Sequence, residues 1–204
     1  MTAQVIVLAG PSGAGKSRLA ERLGLPVLRL DDFYKSGGDP SLPVIEHGPN
    51  AGMTDWDHPD SWLKAEAITT LERLCREGRA EVPIYELARD GRCGSRRLDL
   101  GGSRYFVAEG IFAQEVVPAA ALAGVLAGAY CVRQHAAVTF WRRLTRDLRE
   151  RRKPPLVLLR RGWALMRDQQ RVVGHAVDLG CRPATPDQAY DEISRLLDRQ
   201  PAGG

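Results

Sequence analysis

The chain has 204 residues, 44% of them apolar, and a formal net charge of +4. That is enough apolar material for an ordinary core, so a disordered chain is excluded and a single domain, with room for an inserted arm and a lid, is expected. No apolar run approaches the ~20 residues that span a bilayer, and no signal-peptide layout leads the chain, so a cytoplasmic protein without a membrane partner is expected.

In chain order, Val5 to Ala9 is an apolar run that reads as a buried strand. It feeds into Gly10-Pro-Ser-Gly-Ala-Gly-Lys16-Ser17, a complete GxxxxGKS phosphate-binding loop. A helical pattern follows from Lys16 to Leu23, with Leu19, Ala20 and Leu23 on one face. Strand, loop and helix stand in the order the motif needs. The loop amides of Gly10, Ser12, Gly13, Ala14 and Gly15 can form a nest for phosphate oxygens, and the helix N-terminus adds partial positive charge. Lys16 can reach the β and γ phosphates of ATP, and Ser17 can hold Mg²⁺.

Val27, Leu28 and Leu30 predict a second short strand that stops at Asp31-Asp32. Carboxylates at the C-terminal end of a strand in an open α/β sheet lie where ligands bind. Residues 36–56 are rich in glycine and proline and read as a long loop. Pro59 suits a first helical turn, with Asp57 or His58 near the cap. The spacing of Leu63, Ala67, Leu71 and Leu74 predicts one helix running on to about Glu77, stopped by Gly78.

Residues 81–85 read as extended, and approximately 86–103 as an inserted hairpin or arm. Tyr105 to Ala108 predicts another buried strand, ending at Glu109-Gly110. An acid there, downstream of a phosphate loop, stands at a Walker-B-like position for Mg²⁺ or its waters. Gln114 to Leu122 reads as helical apart from Pro118, which marks either a kink or a boundary, and Ala127 to Val132 as a third apolar strand.

Residues 136–150 predict a helix carrying Arg142, Arg143, Arg146 and Arg149, and the run continues to Lys153 before Pro154-Pro155. Lysine occurs only at Lys16, Lys35, Lys64 and Lys153, so the arginine excess looks like codon bias as much as function. A charge run is commonly a solvated face; the competing reading is a lid at approximately 149–155 that brings arginines onto transferring phosphates. A mildly basic surface suits anionic small molecules without implying nucleic acid as a partner. Beyond it, 156–173 reads as helical, 176–179 as a short strand, and 187–199 as a closing amphipathic helix burying Ile193, Leu196 and Leu197. Cys75, Cys93, Cys131 and Cys181 have no metal-ligand spacing and read as reduced thiols.

Taken together and in order, these segments resemble the uridine kinase group of P-loop kinases, relatives of phosphoribulokinase and bacterial pantothenate kinase. The segments that carry the likeness are the P-loop, Leu30-Asp-Asp-Phe-Tyr-Lys35, Asp57-His-Pro-Asp60, Val107-Ala-Glu-Gly-Ile111, and Trp141-Arg-Arg-Leu-Thr-Arg-Asp147. The resemblance implies an α/β P-loop NTPase fold with a parallel sheet flanked by helices, a lid and a small arm. It implies that Asp31 is the base for the acceptor hydroxyl and lies near Mg²⁺, that Asp57 binds ribose hydroxyls, and that Glu109 joins Ser17 in the Mg²⁺ shell. Arg143 and Arg146 would close over phosphate and substrate. The base-recognition segment of that group, Pro-x-Tyr-Asp-Phe-x-x-His-x-Arg, reads here Pro83 to Arg92: Tyr85 and Arg92 are kept, while Asp90 stands at the histidine. A neutral histidine can donate to a base carbonyl, and a carboxylate cannot.

The expectation is therefore an ATP- and Mg²⁺-dependent kinase for a small-molecule hydroxyl, foremost the 5′-hydroxyl of a nucleoside such as uridine or cytidine. The alternatives are a kinase for pantothenate or a sugar phosphate, and a nucleotide-binding regulatory protein without transfer activity. The oligomeric state is open, a homo-oligomer included.

Overall fold

The computed structural model describes residues 2–48, 50–133 and 170–198. Its centre is a five-stranded parallel sheet in the order β2-β5-β1-β6-β7, formed by β1 (Gln4–Ala9), β2 (Val27–Arg29), β5 (Tyr105–Glu109), β6 (Leu126–Val132) and β7 (Arg182–Ala184). This is the P-loop NTPase architecture expected from the motif order.

The apolar run of β1 is uniform because both faces of the strand are covered. Val5, Val7 and Ala9 join a cluster with α2 (Lys64–Glu77) and α3 (Val117–Leu122). Ile6 and Leu8 point the other way, into a cluster with Leu19 and Ala20 of α1 (Lys16–Leu23) and Ala189 and Ile193 of α4 (Pro186–Asp198). The two-residue alternation of a strand thus splits one hydrophobic stretch between two cores. Of the three residues expected to be buried in α4, Ile193 is fully buried, and Leu196 and Leu197 pack partly against the same cluster.

Helix ends follow local chemistry. α1 and α2 each close on a glycine in the left-handed region, Gly24 and Gly78, whose N–H groups return to Glu21 O and Leu74 O. Pro118 marks the start of α3 rather than a kink: a 3₁₀ turn over Ala113–Val116 precedes it, and proline sits in the first turn.

Three elements differ from the sequence expectation. The helix from Pro59 to Glu77 is two pieces. Pro59–Ser61 is a 3₁₀ turn capped by His58, Trp62 is extended and bridges Tyr34, and α2 starts only at Lys64. Trp62 breaks the helix because its indole N–H donates to Leu30 O at 2.7 Å in the core. The arm is an antiparallel hairpin of β3 (Arg79–Glu86) and β4 (Gly91–Asp99), so it begins earlier than residue 86 and absorbs the extended segment at 81–85. Residues 170–178 are helical, so no strand forms at 176–179. The edge strand is β7 instead, where Pro183 is tolerated because only one side of an edge strand pairs.

The helix expected over 136–150, the lid at 149–155 and most of 156–173 lie outside the described residues. Among the described residues no helix is long and apolar enough to cross a membrane, and all four cysteines are free thiols.

Candidate active site

Three neighbouring strands, β2, β5 and β1, end side by side, and each delivers one predicted group. Leu8 of β1 lies opposite Glu109 of β5, and Arg29 of β2 lies opposite the same Glu109. Asp31 follows Arg29 by two residues, and the phosphate loop follows Ala9 directly. The parallel register therefore brings Asp31, Glu109, Lys16 and Ser17 to one corner.

The loop needs its first glycine for two reasons. Gly10 has φ +127°, and a Cβ there would lie 2.3 Å from Val132 O of β6. Gly13 and Gly15 also have positive φ. Ala14 is fully buried beneath the loop and joins the α1 core cluster, while Ser17 is exposed. Lys16 is itself buried, and its ammonium donates to Gly10 O at 2.7 Å and Pro11 O at 3.2 Å. Its charge is thus held over the loop, where an anion would meet it.

Ser17 Oγ donates to Glu109 Oε1 at 3.1 Å. Burial pushes the Glu109 carboxyl above its ordinary pKa; Lys16 opposes that rise, Asp31 adds to it, and the Ser17 hydrogen bond lowers it again. Asp31 is exposed, and its Oδ1 accepts the Ile111 N–H at 2.9 Å. The adjoining Gly110 makes that approach possible, because a Cβ there would stand 2.7 Å from Asp31 Oδ1 and 3.0 Å from Leu30 Cβ. The Glu109-Gly110 pair is thus a single device, in which the acid faces Ser17 and the glycine clears space for Asp31.

Oxygen donors suit a hard cation such as Mg²⁺, which keeps several waters and needs only one or two protein carboxylates. Ser17, Glu109 and Asp31 fit that requirement. Among the described residues no group of three or more His, Cys, Asp or Glu could enclose a metal by itself, so phosphate oxygens and water would complete the shell.

The other wall is aromatic. Tyr34 lies 5.8 Å from Trp56, 5.9 Å from Tyr85 and 5.9 Å from Phe112, centroid to centroid. Its hydroxyl donates to Trp56 O at 3.1 Å. Burial, then the nearby charges of Asp31 and Asp57, raise its pKa, which places both carboxylates within electrostatic reach of one ring. The Tyr85 pKa is pushed up to about 12 by burial first and by the nearby charge of Asp90 second. Burial raises the Asp32 pKa against the pull of Arg29, Arg96 and the Tyr85 backbone amide.

The sequence-predicted residues are thus brought together in two sets, with Lys16, Ser17, Asp31 and Glu109 in one and Asp57 and Tyr85 around Tyr34 in the other. Arg92 belongs to neither by contact, since its guanidinium makes a two-pronged pair with Glu66 of α2 at 2.9 Å and 2.9 Å. Arg143 and Arg146 lie outside the described residues. Sequence reasoning passed over Tyr34, Phe112 and Gly110. Tyr34 and Gly110 stand inside motifs already singled out, beside Asp31 and Glu109, and that adjacency is the signal that could have found them.

No protein-family model matches the chain. It is 32% identical over 114 residues to inorganic pyrophosphatase TTM2 of Arabidopsis thaliana, a match covering 53% of this chain and 15% of that protein. It is 26% identical over 121 residues to the uridine kinase of Chlamydia pneumoniae, covering 56% of this chain and 52% of the kinase. The chain therefore spans about half or less of these curated relatives. A candidate fructose transport system kinase from Silicibacter sp. TM1040 superposes with a TM-score of 0.62 at 18% identity, over 91% of this chain and 88% of that one. The fold is that of a P-loop kinase, and the chain resembles the uridine kinase group as its motifs led one to expect.

Proposed function

We propose that the protein transfers the γ-phosphoryl group of ATP, with Mg²⁺, to a hydroxyl of a small molecule, foremost the 5′-hydroxyl of a nucleoside such as uridine or cytidine. The observation that carries this reading is the meeting of Lys16, Ser17, Glu109 and Asp31 at the ends of three adjacent parallel strands, with the Tyr34 ring in the field of Asp31.

In this reading the loop from Gly10 to Ser17 binds the β and γ phosphates through its amides, and Lys16 neutralises part of their charge. Ser17 and Glu109, with Asp31 close by, would hold Mg²⁺, which when bound supplies charge neutralisation on the phosphate oxygens. Asp31 has one oxygen fixed by the Ile111 amide. Its other oxygen takes the proton of the acceptor hydroxyl while that hydroxyl oxygen bonds to the γ-phosphorus. The bond from the γ-phosphorus to the bridging oxygen breaks, and ADP leaves with that electron pair. Tyr34, Tyr85 and Trp56 offer ring faces against which a flat or ring-shaped acceptor can lie, with Asp57 in electrostatic reach of Tyr34, and Arg92 enters as a substrate contact on the resemblance alone. Arg143 and Arg146 enter as lid cations on the resemblance alone.

The test is ADP release measured by a coupled assay over uridine, cytidine, other nucleosides, pantothenate, free sugars and sugar phosphates. Acceptor-dependent release with a nucleoside is the expected result. ATP binding without acceptor-dependent release from any of them would overturn transfer. A second reading keeps the donor half and changes the acceptor to pantothenate or a sugar phosphate. Asp90 favours it, because a carboxylate cannot donate to a pyrimidine carbonyl, and the same panel separates the two.

A further inference from the structure

We propose that Glu115 is a positioning residue for the transfer step: by bonding Lys64 it closes a ring of contacts around Asp31 and fixes the Ile111 amide that aims the Asp31 carboxylate. This deepens the phosphoryl-transfer reading and rests on it for the effect on turnover.

The carboxylate comes first. Glu115 lies in the 3₁₀ turn Ala113–Val116, and only 11% of its side chain is exposed. Its two oxygens are held by different elements. Lys64 Nζ, from the first residue of α2, donates to Oε2 at 2.9 Å. His175 Nε2, from the helix at 170–178, stands 2.6 Å from Oε1. An ionised carboxylate only accepts, so the imidazole nitrogen donates. Burial alone would raise the Glu115 pKa; the hydrogen bonds from Lys64 and His175 outweigh it and hold the carboxyl below its ordinary value. Ala176, next to His175, is fully buried in the same core cluster as Ala67 of α2 and Val117 of α3. Glu115 is therefore clamped between two elements that are themselves anchored.

The ring comes second. Asp31 belongs to the 3₁₀ turn Leu30–Phe33. The two residues before Lys64 hold both ends of that turn: the Trp62 indole donates to Leu30 O at 2.7 Å, and Leu63 N–H donates to Phe33 O at 2.9 Å. On the other side, Glu115 N–H donates to Phe112 O at 2.9 Å, and Ile111 N–H donates to Asp31 Oδ1 at 2.9 Å. A path from Asp31 through the start of α2, Lys64, Glu115, Phe112 and Ile111 thus returns to Asp31. The Phe112 ring packs 5.9 Å from that of Trp62 and braces the ring across its middle.

The consequence for transfer comes third. Ile111 occupies one Asp31 oxygen and leaves the other for the acceptor hydroxyl. Its peptide follows Gly110, which has no Cβ to restrict it, so the anchor at Glu115 sets where the Ile111 N–H points. Misplacing a reacting group by about 1 Å can cost about 100-fold in rate, even when the cause lies away from the chemistry. An ion pair that only stitched the surface would leave turnover alone.

The test combines turnover, with uridine or cytidine as acceptor, and NMR exchange of backbone amides in the nucleotide-free protein. Lys64→Met keeps the stem and removes the donor; kcat should fall about fivefold and the KM for ATP should stay within about twofold. Glu115→Ala should lower kcat about tenfold, and Glu115→Gln, which keeps an oxygen for Lys64, should recover most of it. In the Asp31→Asn background Glu115→Ala should lower kcat by less than about twofold, because its effect runs through Asp31. The Ile111 amide should exchange about tenfold faster in Lys64→Met and Glu115→Ala, while the amides of Ile6 and Val7 in β1 keep their wild-type rates. Unchanged Ile111 exchange, equal acceleration at Ile111 and in β1, or a full further loss of turnover on top of Asp31→Asn overturns the positioning role. If no acceptor releases ADP, transfer itself has failed, and exchange alone then decides Glu115: acceleration confined to Ile111 and its neighbours supports the ring, and its absence overturns it.

Discussion

The donor side of the cleft and its acceptor side are assembled in different ways. The donor side is made of short motifs, each attached to the end of a buried strand, and the parallel register of β2, β5 and β1 does the aligning. The acceptor side is made of pieces far apart in the chain: Tyr34 and Gly37 after β2, Trp56 from the long loop, Tyr85 and Asp90 from the hairpin, and Phe112 after β5. No ladder of strand hydrogen bonds connects them, and single contacts hold them together. Damage to the donor side should therefore appear in turnover, and damage to the acceptor side in acceptor affinity.

The largest expected effect tests the donor side. Asp31→Asn keeps the oxygen that accepts the Ile111 amide but removes the basic carboxylate, so kcat should fall by about 10²- to 10⁴-fold, the usual worth of a general base. ATP affinity, read by calorimetry or fluorescence titration, should stay within about twofold, since phosphate binding rests on the loop. Near wild-type turnover would remove Asp31 as the base. Gly110→Ala comes next. The added methyl carbon would lie 2.7 Å from Asp31 Oδ1, so the carboxylate must move, and a displacement of this order lowers kcat by about 10- to 100-fold. Overpacking against Leu30 should also cost about 1–3 kcal/mol in denaturant unfolding. Unchanged kcat with lowered stability would mean that Asp31 does not need its observed position.

The same contrast explains what could be read from the chain. A P-loop is local: eight consecutive residues specify loop conformation, charge and the start of the helix. Asp31 and Glu109 were legible because each terminates an apolar run, and strand ends in a parallel sheet share one edge. Tertiary contacts leave no such trace. The Glu66 partner of Arg92 is 26 positions away, so Arg92 reads as a free substrate contact until α2 and the hairpin are seen side by side. The break at Trp62 hides beneath a good helical period because its cause is the Leu30 carbonyl, 32 residues earlier. β7 is three residues long, contains Pro183, and is a strand only because β6 offers it an edge.

A smaller effect probes how the acceptor side is held. Arg92→Lys keeps the charge and loses the paired fork to Glu66. The pair is partly exposed, so a double-mutant cycle with Glu66→Gln should return about 1 kcal/mol or less of coupling. The acceptor KM should rise a fewfold with kcat and the KM for ATP unchanged. Equal losses in the ATP and acceptor parameters would show that the hairpin also supports the donor side, and the division between the two sides would fail.

The smallest effect concerns the acid buried on the donor side. Burial raises the Glu109 pKa in the folded chain above its unfolded value, and the nearby ammonium of Lys16 only partly offsets this. A raised carboxyl pKa means that the folded state binds the proton more tightly than the unfolded state. The contribution is therefore fully present below the unfolded pKa of about 4.3 and is lost as pH rises through the folded value. Glu109→Gln retains an oxygen for the Ser17 hydroxyl and does not titrate. The Tm of the wild type minus that of the variant, measured without nucleotide, should accordingly fall as pH rises from about 4 toward neutrality. A difference that grows over the same range would mean that Lys16 and Ser17 outweigh burial. Glu109 would then be a satisfied ion-pair partner that stabilises the strand end. A falling difference marks it instead as an acid kept short of positive charge in the nucleotide-free fold, which a cation brought in with the phosphates would relieve.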